Sequence, residues 1–118
     1  MQNAKEELTL HLGSNINKVM CAIVEHSVWN YEQEEPKKSF KLLLNHTQED
    51  FTLFLDSLNF DYDNGYGLQE LYGTVWFNDG TWLQRWEYDG SEGWERMVCP
   101  TVPDELWLTS PSPLNNSL

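Results

Sequence analysis

Leu71–Pro100 reads LYGTVWFNDGTWLQRWEYDGSEGWERMVCP. Two Asp-Gly steps, Asp79-Gly80 and Asp89-Gly90, punctuate three runs of aromatic and β-branched residues. Asp-Gly between such runs is a strong hairpin signal, because a type I′ turn needs positive φ at both central positions. The segment predicts a three-stranded antiparallel meander. A two-residue turn at Asp79-Gly80 sets Phe77 opposite Trp82 and Val75 opposite Gln84. In that register Val75, Phe77, Trp82, Trp86 and Tyr88 share one face, and Trp76, Leu83, Arg85 and Glu87 share the other. The second hairpin is open in register, since DGSEG accommodates loops of several lengths. Both faces carry large aromatics, so either both are covered or one presents an apolar patch to a partner.

Upstream, Val19 to Trp29 opens with the continuous apolar run VMCAIV, the pattern of a strand buried on both faces. Ser39 to Asn45 reads as a second strand, joined to the first by the charged stretch NYEQEEPKK. Thr47 suits a helix N-cap, with Asp50 completing an approximate capping box. Phe51, Phe54, Leu55 and Leu58 then follow helical spacing and give one apolar face. Residues 4–12 fit either element: Leu8, Leu10 and Leu12 alternate as in a strand, while AKEEL suits a helix. The expected fold is α+β: a single antiparallel sheet of about five strands in the order ββαβββ, with one helix, Thr47 to Leu58, packed on one face. Residues 1–108 form one domain, and the Pro/Ser-rich stretch 109–118 reads as a disordered tail.

The chain has 118 residues and a net charge of −12, from 19 acids against 7 Lys and Arg. From Thr47 to Glu95 eleven acids face a single base, Arg85. A field of that sign repels nucleic acid and anionic membranes and attracts basic partners. No apolar run reaches the length of a membrane span, about 20 residues. The N-terminus has no basic region followed by a long apolar core, which reads as a cytoplasmic protein. Cys21 and Cys99 are then expected as free thiols, with a disulfide left open by the even count.

Asp61, Asp63, Asn64 and Gly65 resemble a calcium loop, but the register fails: Gly65 falls at position five and Tyr72 at position twelve. The Cys and His residues are too scattered for zinc. Glu87, Asp89, Glu92 and Glu95 beside aromatics have the look of a glycosidase cleft, yet a domain with one sheet and one helix has little room for a sugar groove. With no nucleophile elbow, P-loop or dinucleotide motif, the chain reads as a binding protein without enzymatic activity, cofactor or metal. Arg85 is expected to pair with Glu87 or a neighbouring strand's carboxylate, or to stack on Trp94.

The segments Gln69–Gly73 (QELYG), Asp79–Trp82 (DGTW) and Glu87–Glu92 (EYDGSE) resemble a group of small hypothetical proteins of bacteriophages and prophages. The resemblance covers about Leu58 to Leu106. It departs from the group's pattern at Gly93, where an aromatic is usual, and at Trp86, where a small residue is. The resemblance implies a phage or mobile-element origin and action in the host cytoplasm, and it carries over no functional residue.

Together these readings give an acidic phage accessory protein that binds a basic host protein, one that normally holds nucleic acid. Carboxylates on a rigid sheet would occupy the groove that takes phosphates, as in an anti-CRISPR or anti-restriction inhibitor acting as a DNA mimic. The expected contacts are Asp61, Asp63, Trp86, Glu87, Asp89, Glu92, Trp94 and Glu95. Two alternatives stand beside this one. Exposed Trp rings can hold a sugar or nucleobase, and a sheet edge can pair with a second copy, giving a homodimer.

Overall fold

Val19–His26 (β2) is the strand on which the sheet is organised, pairing antiparallel with two neighbours. These are Lys38–Leu42 (β3) on one side and Leu71–Phe77 (β5) on the other. The meander continues through Trp82–Tyr88 (β6) and Ser91–Met97 (β7), so the order across the sheet is β3-β2-β5-β6-β7, antiparallel throughout. The computed structural model describes residues 1–28, 37–65 and 67–108. The expected tail at 109–118, Trp29 and most of the β2–β3 connection lie outside the described residues.

The helical layer covers one face of this sheet. Gln48–Ser57 (α2) begins where the sequence indicates. The Thr47 hydroxyl accepts from Asp50 N at 3.1 Å, and the Asp50 carboxylate accepts from Thr47 N at 3.0 Å. Phe51, Phe54, Leu55 and the capping Leu58 are all buried. Among the described residues there are two α-helices rather than one. Ala4–Leu12 (α1) resolves the ambiguous stretch as a helix, because Asn3 caps it by accepting from Glu6 N at 2.9 Å and Gly13 ends it at φ +51°. Its buried stripe is Ala4, Leu8 and Leu12, at i, i+4 and i+8, which leaves Leu10 in solvent. Two short strands, Gln2–Asn3 (β1) and Asp61–Tyr62 (β4), pair antiparallel and tie the start of α1 to the end of α2. α2 packs against β3, and α1 against α2 and β7.

The two Asp-Gly steps form different turns. Asp89 (φ +51°) and Gly90 (φ +88°) make a two-residue loop that sets Tyr88 opposite Ser91, the type I′ geometry. At the other step only Gly80 has positive φ, at +87°. Phe77 N donates to Thr81 O at 2.9 Å and Gly80 N to Phe77 O at 3.3 Å, so the loop holds three residues, Asn78 to Gly80. The Asp79 carboxylate causes this, accepting from Thr81 N at 3.0 Å and from the Thr81 hydroxyl at 2.6 Å. A side chain that bonds the backbone two residues on builds its own turn. The pairs are therefore Trp76 with Trp82, Val75 with Leu83 and Thr74 with Gln84. This corrects the expected register by one residue, and a one-residue slip exchanges the faces. Val75, Phe77 and Leu83 enter the core together, while Trp76 and Trp82 share the opposite face.

Candidate functional site

The face of the sheet turned away from the helices carries a band of aromatic residues. Strand alternation and the register put Cys21, Trp76, Trp82 and Met97 in one row across β2, β5, β6 and β7. The next row holds Lys41, Ile23, Thr74, Gln84 and Glu95. Tyr72 and Trp86 continue the face beyond it. Trp76 and Trp86 keep 38% and 37% of their surface in solvent, so both rings are open on one side. Trp82 Nε1 donates to Gln84 Oε1 at 3.1 Å, and Gln84 Nε2 to Glu95 Oε1 at 3.4 Å, which holds the central row in place. Trp86 lies opposite Gly93, and a Cβ at Gly93 would stand 2.9 Å from its ring. Trp86 and Gly93 thus form one cross-strand pair, with the ring on β6 and the space for it on β7.

The opposite face of the same strands holds a buried ion cluster. Arg85 Nη2 meets Glu92 Oε1 at 2.6 Å, and Nη1 meets Glu7 Oε1 at 3.1 Å. Arg85 also donates to the Tyr62 hydroxyl at 2.9 Å and to Leu71 O at 3.2 Å, and its guanidinium stacks 5.0 Å from the Trp94 ring centroid. The second oxygen of Glu92 accepts from Glu70 N at 2.8 Å, and the first also takes Leu71 N at 3.0 Å. Tyr62 donates to Glu7. Burial pushes the Tyr62 phenol well above its ordinary range, and its hydrogen bond to Glu7 adds to the shift. The phenol therefore stays protonated and remains a donor. A buried charge is tolerated when it is paired and hydrogen-bonded, and this cluster joins α1, β4, β5, β6 and β7 through one guanidinium. The expected pairing of Arg85 with a neighbouring strand's carboxylate and its stacking on Trp94 are both present, with Glu92 as the carboxylate.

This geometry sorts the expected contacts. Trp86 and Glu95 lie on the open face. Glu87 and Asp89 stand exposed at the β6–β7 turn, where Glu87 accepts from Gly90 N at 3.2 Å. Asp63 is near that end: it caps its own loop by accepting from Gly65 N at 3.1 Å, and Glu92 N donates to Asn64 O at 3.1 Å. Asp61 sits on β4 beside Asn3, in the helical layer. Glu92 and Trp94 are corrections. Both point inward from β7 and are 4% exposed, so neither is available as a surface contact. Trp76 and Trp82 were missed as members of the open face, because the slipped register assigned them to different faces. The signal that finds them is the Asn-Asp-Gly-Thr string, in which Asp79 can bond Thr81.

Asp79 carries the one resolved carboxylate shift near this face. Its hydrogen bond from the Thr81 hydroxyl, then that from Thr81 N, hold the carboxyl below its ordinary range, with Arg96 adding to the effect. Among the described residues no three His, Cys, Asp or Glu side chains gather as a metal site, and both cysteines are free thiols. No helix among them is long and apolar enough to cross a membrane. Comparison with protein-family models, characterised proteins and solved structures finds no match to this chain.

Proposed function

We propose that the chain is a protein-binding module whose working surface is the open face of the meander, and that it recognises an arginine- and lysine-rich surface. The carrying observation is that Trp76, Trp82 and Trp86 share the uncovered face of an antiparallel sheet, with Trp76 and Trp86 exposed. Indole faces attract guanidinium and ammonium groups, and Trp is enriched among the residues that dominate protein interfaces. Glu95, Glu87 and Asp89 rim the face with negative charge, and the chain as a whole carries −12. A cationic groove that normally holds phosphates presents both partners at once, basic side chains and a negative-seeking field. Occupation of such a groove would block nucleic acid, the action of a phage inhibitor of a host defence enzyme, which fits the resemblance to phage proteins. Clefts beside α2 and beside Ser27 and Glu87 contain none of the three tryptophans, so a flat protein partner suits the face better than an enclosed small ligand.

The test is tryptophan fluorescence during titration with an arginine-rich peptide, followed by capture of host nucleic-acid-binding proteins on the immobilised chain. Binding should fall steeply with salt, captured proteins should be released by duplex DNA, and Trp86→Ala should weaken binding at least about tenfold. Equal binding by Trp86→Ala and the parent rejects the face.

A further inference from the structure

The open face differs from end to end in charge and in access to its rings. Its central row runs Lys41, Ile23, Thr74, Gln84 and Glu95, so a cation stands on β3 at one end and a carboxylate on β7 at the other. Four inter-strand steps separate them, about 19 Å. Tyr72 already carries a cation of its own chain, with Lys37 Nζ 5.7 Å from the ring centroid. Trp76 lies between Cys21 and Trp82, with no carboxylate beside it. Trp86 is placed differently. Across the strands it meets Gly93, and its ring spreads over that position: a Cβ at Gly93 would stand 2.9 Å from Cζ2 and 3.0 Å from Nε1. Glu95 is the next residue of β7 on the same face, about 7 Å further along the strand. Gln84 Nε2 donates to Glu95 Oε1 at 3.4 Å, and Oε2 has no hydrogen-bond partner among the described residues.

We infer that Trp86, Gly93 and Glu95 form a subsite for a single arginine side chain, and that it prefers arginine to lysine. This rests on the reading of the open face as the protein-binding surface. A guanidinium laid on the exposed side of the indole turns its edge toward the neighbouring carboxylate, so one group stacks and makes a two-bonded fork together. An ammonium is a compact, strongly hydrated charge with no plane to stack. The carboxylate is held for this role. Gln84 Oε1 accepts from Trp82 Nε1 at 3.1 Å, which turns the amide N–H toward Glu95. Gly93 gives the indole its place over β7, since a side chain there would lift the ring away from Glu95. Lys37 and Lys41 repel an incoming cation at the far end of the face, and the acidic end receives it.

Tryptophan fluorescence titrations at one salt concentration test this with three capped peptides: hexa-arginine, hexa-lysine, and hexa-arginine dimethylated on every guanidinium. The three carry the same charge, so the general attraction of an acidic chain cancels in the comparison. The parent should bind hexa-arginine about tenfold more tightly than either of the others, because methylation keeps the charge and blocks the fork. Glu95→Gln should bind hexa-arginine and hexa-lysine equally. Gly93→Ala should also lose the preference, with unchanged far-ultraviolet circular dichroism. If Trp86→Ala binds hexa-arginine as the parent does, the binding face itself is rejected and the subsite with it. If Trp86→Ala binds less well but the parent takes hexa-arginine and hexa-lysine equally, the subsite alone is overturned. An arginine preference that survives Glu95→Gln overturns it too.

Discussion

The two faces of the meander are built from the same three strands and solve opposite problems. The inner face buries a guanidinium between two carboxylates, a phenol and an indole. The outer face leaves Trp76 and Trp86 exposed and Trp82 partly so, with Glu95 and Gln84 among them. Inside, the charged groups and the phenol are joined to one another, and Trp94 Nε1 is buried without a hydrogen-bond partner among the described residues. Outside, apolar area is left unsatisfied by the fold itself. Charge on this protein therefore divides into a part that holds the structure and a part that faces outward, and residue type alone does not separate them. Glu92 and Glu95 are three residues apart on one strand and belong to different parts.

Removing Arg85 should break the contrast most severely. Arg85→Ala leaves Glu7 and Glu92 buried without their cation, and breaking a buried pair costs about 3–5 kcal/mol. Stability of a small domain is only about 5–15 kcal/mol, so urea unfolding should show a large loss or no folded baseline. Replacing Arg85, Glu7 and Glu92 together by apolar residues of similar volume should recover much of that loss. If Arg85→Ala unfolds at the parent's urea midpoint, the cluster is not buried as described.

Gly73 joins the two faces through the backbone and should follow in size. It sits at φ +152°, and a Cβ there would stand 2.9 Å from Val24 Cα and closer still to Ile23 O. Backbone cannot yield as a flexible side chain does, so Gly73→Ala should separate β5 from β2 and lower the melting temperature by several degrees. An unchanged melting temperature would contradict the close approach.

Tyr62 gives the inner face a signature in alkali. Its phenol titrates above its unfolded value of about 10. The folded state thus holds the proton more tightly, and the associated stability is complete below that value and is lost as pH rises beyond it. Parent stability should decline above about pH 10, and Tyr62→Phe should decline less over the same range while starting lower, by about 1–3 kcal/mol for the hydrogen bonds removed. Parallel profiles for the two proteins would exclude Tyr62 as the source.

Much of this fold is legible in the chain, for local reasons. Thr47 and Asp50 announce α2 because capping is a three-residue interaction, and Phe51, Phe54, Leu55 and Leu58 announce its buried face by spacing. The five strands follow from apolar runs and from the two Asp-Gly steps, and Gly80 and Gly90 both adopt the positive φ expected of them. α1 was undecided because alternating leucines fit two periods; the Asn3 cap and the packing of Ala4, Leu8 and Leu12 decide it. The inner cluster was hidden by distance. Arg85 meets Glu7 across 78 positions, and Glu92 looks like one more solvated acid beside a turn. The outer face was hidden by a single hydrogen-bonding choice at Asp79, which moved the register by one.

That choice provides the smallest effect and the sharpest comparison between the hairpins. Asp79 builds its loop with the side chain, through Thr81, and Arg96 lies 3.4 Å from it. Asp89 makes its turn with the backbone, at φ +51°, a region where glycine is at ease. Asp89→Gly should therefore leave the melting temperature nearly unchanged, because relief of the left-handed conformation offsets the added freedom of the unfolded chain. Asp79→Gly should lower it, and only at a pH where Asp79 is ionised. The carboxyl sits below its ordinary range, so its contribution is present at neutral pH and is lost as pH falls through that depressed value. The difference between the two variants should thus narrow in acid. Equal effects of the two substitutions at neutral pH would mean that both hairpins use the same turn. The register would then return to Phe77 opposite Trp82, and the row of Trp76, Trp82 and Trp86 would no longer share a face.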